Sequence, residues 1–312
     1  MFLKEPLDRE LFDSSLTRLL AEQAAMPVAV VWPCDRTSLE GAVLAAAQRL
    51  IVATLVGPVD HIRQVARDNG FDLDGIDIRA AETPQEAAAV AVALARDGHV
   101  QALMKGSLHT NDLMRAIVAR DSGLRTGRRM SHVFAIDHPQ YHKLLLVTDA
   151  ALNIAPDLDA KKDIIQNAVD LAHRLGVALP KVAVLAAVET VEQDVESTLH
   201  AAALCKMAER HQISGAVLEG PLALDNALSR EAAQIKGIVS AVAGDADILA
   251  MPNYEAGNML AKDMEHMGGA LTGGIVLGAK VPVILTSRSD TARARIASCL
   301  LARVLVSGGA GR

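Results

Sequence analysis

Short apolar runs alternate with amphipathic stretches along most of the chain. Residues 28–32 read as a strand, 38–49 as a helix capped by Ser38, and 51–56 as a second strand. A helix over 58–69 is closed by Gly70, and Thr83, Pro84 and Glu86 form a helix start with cap, first-position proline and third-position acid. The run 100–104 predicts a buried strand ending in Lys105-Gly106, and two further strands, 131–136 and 143–148, flank the turn-like DHPQYH. The rhythm then repeats, with helices over 160–175, 197–211, 229–236 and 256–267 and strands over 182–187, 216–218 and 248–251. A last strand, 281–286, leads into a helix with Ile296, Leu300, Leu301, Val304 and Leu305 on one face.

Strand, helix, strand in this order predicts α/β architecture with mostly parallel sheets, because a parallel neighbour requires a crossover and a helix fills it. Runs such as KVAVLAAV and VPVILT are apolar throughout, as strands covered on both faces must be. A chain of 312 residues exceeds the size at which one core stops growing, so two doubly wound domains are expected, with a first boundary near residue 149.

Composition narrows the function. Half the residues are apolar (51%) and only 2% aromatic, so the core is aliphatic and few rings are available to stack on bases. Net charge is -6, with Lys and Arg scattered, which argues against nucleic acid as a partner. The longest apolar run, 87–95, is far shorter than a membrane span, and the opening MFLKEPLDRE resembles neither a signal nor a transit peptide, so the expected location is the cytoplasm. Cys34, Cys205 and Cys299 lack disulfide or zinc spacing and read as buried or idle thiols.

In sheets of this kind, ligands sit beyond the carboxyl ends of the strands. The turn Ser287-Arg288-Ser289-Asp290 lies there. Unpaired N–H groups and the helix dipole favour an anion at such a turn, and the Arg288 fork suits phosphate. Ser289 and Asp290 are equally ordinary as cap and first-turn acid. Lys105-Gly106-Ser107 is either a simple turn before a helix capped by Thr110 or a substrate-binding edge. The pairs Gly268-Gly269 and Gly273-Gly274 read as helix terminator and tight turn ahead of a phosphate cradle, and His138 and His142 sit in a proline turn unsuited to a metal.

The segments ALMKGSLHTNDLMRAI (102–117), GLRTGRRMSHVFAID (123–137), LLVTDAALNIAPDLDAKKDIIQNAV (145–169), GPLALDNALS (220–229), GDADILAMPNYEAGNMLAK (244–262) and GAKVPVILTSRSD (278–290) together resemble the phosphate acetyltransferase and phosphate butyryltransferase family. The resemblance implies reversible transfer of an acetyl or butyryl group between coenzyme A and inorganic phosphate. It implies two α/β domains about a cleft, of isocitrate/isopropylmalate dehydrogenase-like architecture, with domain one formed by 1–148 plus 283–312 and domain two, 149–282, inserted. It names Ser287, Arg288 and Asp290 as catalytic, although the acid's spacing follows the butyryl branch. Lys105, Gly106, Arg128, His132, Glu255 and Asn258 are taken as substrate-binding. No metal and no cofactor beyond coenzyme A as substrate are expected, and a homodimer is.

In this chemistry Arg288 holds phosphate and follows the developing charge, Ser287 donates to the tetrahedral oxyanion, and Asp290 accepts the thiol proton in the reverse direction. Two alternatives share the architecture: a metal- and NAD-dependent dehydrogenase, and a non-catalytic acetyl-CoA sensor.

Overall fold

The protein is described by a computed structural model covering residues 24–287 and 290–307. Its elements run β1 (Met26–Val31), α1 (Arg36–Ala47), β2 (Ile51–Gly57), α2 (Val59–Asn69), β3 (Asp77–Ala80), α3 (Pro84–Arg96), β4 (Ala102–Lys105), α4 (Thr110–Val118), β5 (Ser131–Asp137) and β6 (Leu145–Thr148). They continue with α5 (Leu158–Arg174), β7 (Lys181–Leu185), α6 (Glu196–Glu209), β8 (Val217–Leu222), α7 (Leu224–Leu228), α8 (Arg230–Ile235), β9 (Ile248–Ala250), α9 (Tyr254–His266), β10 (Leu271–Leu277), β11 (Val283–Ile284) and α10 (Ala292–Ser307).

Local chemistry accounts for the helix ends. Thr83 accepts from the Glu86 N–H at 3.2 Å while the Glu86 carboxylate accepts from the Glu82 N–H at 2.7 Å, a reciprocal cap on α3. Gly70 closes α2 at φ 69°, a left-handed angle that glycine adopts without strain. Asp35, rather than the expected Ser38, caps α1: its carboxylate takes the Ser38 N–H at 2.7 Å, and Ser38 lies buried inside the first turn. Strand β3 goes unmarked in the sequence because DIRA is polar and mostly exposed, an edge strand with no apolar signature.

The chain divides into two compact units, one of residues 24–128 with 273–307 and one of residues 129–272. The sequence-drawn borders lie at 148/149 and 282/283, whereas these fall at 128/129 and 272/273. Strands β5 and β6 go to the second unit because β6 pairs with β9 there and β5 pairs with β6.

In the first unit the strand order is β3-β2-β1-β4-β11-β10, parallel except for β10 against β11. The chain winds outward from β1 to β3 and then returns to the other side of β1 as β4, so the winding reverses between β1 and β4. The core is aliphatic, with Val28, Val30, Leu39, Leu55, Ile62 and Leu103 fully enclosed. Each such side chain contributes about 1.5–3 kcal/mol by burial.

Helix α10 buries Leu300, Leu301 and Val304 of the expected apolar face, whereas Ile296 and Leu305 are only half-buried, and its buried surface also takes in Ala294, Arg295, Ala297, Ser298 and Ala302. That face sits close on β10, where a Cβ at Gly273 would approach Leu301, Ala297 and Ser298 at 3.0–3.2 Å, and Ser298 accepts the Gly274 N–H at 2.9 Å. The Gly273-Gly274 pair is therefore a helix-packing surface in a strand, not a turn.

In the second unit the order is β5-β6-β9-β7-β8, with β5 antiparallel to β6 and the rest parallel. Phe134, Ile136, Leu145, Val147, Leu185 and Leu249 build its core. Among the described residues no helix is long and apolar enough to cross a membrane.

Candidate active site

Two clusters of polar side chains form at strand ends, one in each unit. The first begins at the winding reversal. Gly106, just past β4, donates its N–H to Val31 O at 2.8 Å, and Ser107 donates its N–H and its hydroxyl to Trp32 O, each at 2.9 Å. A Cβ at Gly106 would lie 2.4 Å from Val31 O and 2.5 Å from Trp32 O, so only glycine lets these two loops join.

Strand β11 lies parallel beside β4, which brings Thr286 and Ser287 to the edge that carries Lys105. Lys105 is buried, and its Nζ donates to Gly106 O at 3.2 Å and to Thr286 O at 3.3 Å. Ser287 is exposed; its N–H donates to Asp290 Oδ2 at 2.7 Å, and the Asp290 N–H returns to Ser287 O at 3.2 Å. Arg288 and Ser289 lie outside the described residues, as does the N-terminal segment MFLKEPLDRE.

Beneath this turn stands Arg295 of α10, only 2% exposed. It donates from one terminal nitrogen to Thr286 Oγ1 at 2.7 Å and from the other to Ser287 O at 2.8 Å. Burial pushes its guanidinium down from the ordinary value, with Asp290 and Asp35 opposing. The group stays charged and grips the strand end on either side of the serine. Gly41 of α1 makes room for it, since a Cβ there would lie 2.4 Å from Arg295 Cδ.

The second cluster centres on Asp149, which directly follows β6 and is buried. Its carboxylate accepts from the N–H groups of His132 at 3.2 Å, Ala151 at 2.8 Å and Leu152 at 3.0 Å, and from Asn153 Nδ2 at 2.5 Å. Asn153 also donates to Met130 O and accepts from Arg129 Nε at 2.6 Å. His132 is enclosed edge-on against Phe134, and its Nδ1 has no partner among the described residues. Burial drives its imidazole down to about 4, with Lys262 lowering it further and Asp149 raising it, so the ring is neutral near pH 7. Asn258 joins the cluster through α9, donating to Ala150 O at 3.0 Å.

The structure thus brings Lys105, Gly106, Ser287 and Asp290 into one cluster and His132 and Asn258 into another. Glu255 is exposed on the first turn of α9, and Arg128 is exposed with its N–H on Thr126 Oγ1 at 3.1 Å. The sequence reading missed Arg295 and Asp149. Asp149 follows an apolar strand in LLVTDAALN, as Lys105 follows one in ALMK, so the strand-end rule applied evenly reaches it. Arg295 shares a helix face with Ser298 and Ala302, and an arginine on such a face is a cation requiring partners.

Comparison with known proteins places these clusters in context. A family model described as "Phosphate acetyl/butaryl transferase" matches residues 72–302. The chain is 52% identical over 297 residues to a phosphate acetyltransferase of Rhizobium meliloti, covering 95% of this chain and 94% of that one. It is 40% identical over 296 residues to a phosphate butyryltransferase of Clostridium beijerinckii, covering 95% and 98%. Among solved structures, a branched-chain phosphotransacylase from Enterococcus faecalis V583 superposes with TM-score 0.80 at 30% identity, covering 90% of this chain and 99% of that one.

Proposed function

The chain belongs to the phosphate acetyl/butyryltransferase family, and on that premise we propose which of its residues carry the reaction. The reaction is reversible transfer of an acyl group between coenzyme A and inorganic phosphate. A phosphate oxygen adds to the thioester carbonyl, a C–O bond forms, the C–S bond breaks, and coenzyme A leaves as thiolate and takes a proton. Phosphate is already a nucleophile near neutral pH, so the protein's task is to hold two anions together and to stabilise the charge that builds on the carbonyl oxygen.

The observation that carries the assignment is the Ser287 turn, which presents an exposed serine at a strand end held from below by a buried arginine and beside a buried lysine. In our reading Ser287 donates to the tetrahedral oxyanion and Arg288 binds phosphate with its fork. Asp290 takes the thiol proton in the reverse direction while its carboxylate holds the Ser287 N–H. Lys105 and Arg295 supply positive potential behind the turn. His132, Asn258, Glu255 and Arg128 are proposed to contact the acyl-CoA. Acetyl is the first acyl group to test, since identity is higher to the acetyl-transferring relative than to the butyryl one. We further propose a cytoplasmic homodimer that uses coenzyme A only as substrate, without metal.

The test follows release of coenzyme A thiol from acetyl-CoA and butyryl-CoA, with and without phosphate and in the presence of chelator. Release that depends on phosphate and ignores the chelator is expected. Tight acyl-CoA binding with no release supports a sensor, and chelator-sensitive NAD reduction supports a dehydrogenase.

A further inference from the structure

Strand β5 runs against β6 with Val133 opposite Thr148, so the chain entering β5 lies at the carboxyl end of β6, on the side of this sheet where ligands collect. Arg129 stands there, two residues ahead of the strand, and is exposed. Its backbone is pinned on both sides. The N–H donates to Asp163 Oδ2 at 2.9 Å, and the carbonyl accepts from Asn167 Nδ2 at 2.9 Å. Asn167 is buried and also donates to Ser131 Oγ at 2.8 Å.

The side chain is oriented through a single atom. Nε donates to Asn153 Oδ1 at 2.6 Å, and Asn153 is itself buried. That amide has no freedom to turn over, because its Nδ2 donates to Met130 O at 3.0 Å and to the Asp149 carboxylate at 2.5 Å. Flipped, it would aim N–H groups at a guanidinium and an oxygen at a carboxylate. The chain from Asp149 through Asn153 to Arg129 therefore fixes the inner edge of the guanidinium. Its two terminal nitrogens have no partner among the described residues, and no carboxylate there is within ion-pair distance of them. Asp163, which meets the backbone N–H, does not reach the guanidinium. An arginine with a purely structural duty spends its fork on protein, as Arg295 does. Here the stem is held and the fork is left over, so an anion finds a planar donor pair already oriented.

We infer that Arg129 binds a phosphate group of coenzyme A through its terminal nitrogens. The choice of ligand rests on the proposed reaction. Two phosphate oxygens match the fork of a guanidinium. His132 and Asn258, which that reading sets against the acyl-CoA, belong to the same cluster around Asp149, whereas the reacting phosphate is given to Arg288. Asn153 is a positioning residue that acts only through Arg129.

The test measures binding of coenzyme A and of dephospho-coenzyme A, which lacks the 3′-phosphate, by calorimetry on the full chain, with turnover followed separately. Arg129→Gln is expected to weaken coenzyme A by ~10-fold and to raise the acetyl-CoA KM by a similar factor, with kcat and the KM for inorganic phosphate held within about twofold. Acetyl-pantetheine carries no phosphate, so on it variant and wild type are expected to have equal kcat/KM. A loss that persists with dephospho-coenzyme A assigns the fork to the pyrophosphate, and one that vanishes assigns it to the 3′-phosphate. Asn153→Leu, which keeps the cation and removes its orienting acceptor, is expected to show a smaller part of the same acetyl-CoA KM loss and none on acetyl-pantetheine. Unchanged coenzyme A affinity in Arg129→Gln overturns the proposal, as does an equal loss on acetyl-pantetheine or a loss that appears in the KM for inorganic phosphate instead. Should Arg129→Gln not fold, Arg129→Lys decides: it keeps the charge without the fork, and wild-type affinity in it refutes the site. If the wild type binds coenzyme A and releases no thiol from acyl-CoA, the reaction fails, and the coenzyme A affinities of wild type and variant still decide for or against Arg129.

Discussion

The two strand-end clusters are built in opposite electrical sense. In the first unit the buried groups include two cations, Lys105 and Arg295, which donate to the carbonyl oxygens of Gly106, Thr286 and Ser287 and to the Thr286 hydroxyl. In the second unit the centre is a carboxylate, Asp149, saturated by three backbone N–H groups and an amide, next to a neutral histidine. A cation solvated by carbonyl dipoles keeps much of its field for a second anion. A carboxylate wrapped in its own loop's N–H groups holds that loop in one shape. In the proposed reaction the contrast favours charge stabilisation by the first cluster, and in the second it gives Asp149 the part of holding in place the loop beside the proposed acyl-CoA contacts His132 and Asn258.

The strongest way to break this comparison is at the turn itself. Arg288→Lys keeps the charge and loses the fork, so turnover is expected to fall by ~10² or more with little change in thermal midpoint. Arg295 differs in that it touches only protein: Arg295→Met is expected to lower kcat by ~10 to ~10² with acyl-CoA KM nearly constant, and Arg295→Lys to restore part of it, because the loss is in positioning Ser287. Gly41→Ala, which drives a Cβ against Arg295 Cδ, is expected to repeat a fraction of the same kcat defect. A stability loss in these variants without a kcat effect reassigns the turn to a purely structural role and moves the chemistry elsewhere.

A smaller effect sharpens the second cluster. His132 has its folded pKa lowered to about 4 from an ordinary 6.5, so between those values the unfolded chain binds the extra proton and the folded one does not. Stability is therefore complete above about pH 6.5 and is lost as pH falls toward 4. Denaturation of wild type and His132→Gln across pH 4–7 checks it. His138 and His200, also lowered by burial, titrate in both proteins, so the difference between the two slopes isolates His132. Equal slopes place the ring in a polar setting and undo the neutral-histidine reading.

Much of this arrangement was legible before the fold. The alternation from residue 28 onward gives the parallel sheets, and the strand-end rule reaches Lys105-Gly106 and the Ser287 turn, because those signals are local and periodic. What escaped is long-range. Arg295 earns its place only when α10 closes on β10 and α1, and whether the alanine and glycine positions that permit this form a packing surface or a flexible turn depends on the partner helix. His132 and Asn258 were named through resemblance, and their link through Asp149 and Ala150 needs β5, β6 and α9 side by side. Edge strand β3 had no apolar run to announce it.

The smallest expected effect concerns the thiols. Burial pushes Cys34, Cys205 and Cys299 each up to about 12, with Asp35 adding to the rise at Cys34 and Glu219 at Cys205, while Arg295 pulls slightly the other way at Cys299. A thiol so raised holds almost no thiolate near pH 7, and thiolate is the form that attacks an acyl group. If phosphate attacks the thioester directly, as the cationic first cluster favours, no acyl-enzyme on sulfur intervenes. Triple Cys→Ala protein is then expected to keep turnover within about twofold, with a modest stability loss from the cavity left by buried Cys299. A folded triple variant that loses nearly all turnover contradicts direct attack, and the retained Ser287 turn then serves binding alone.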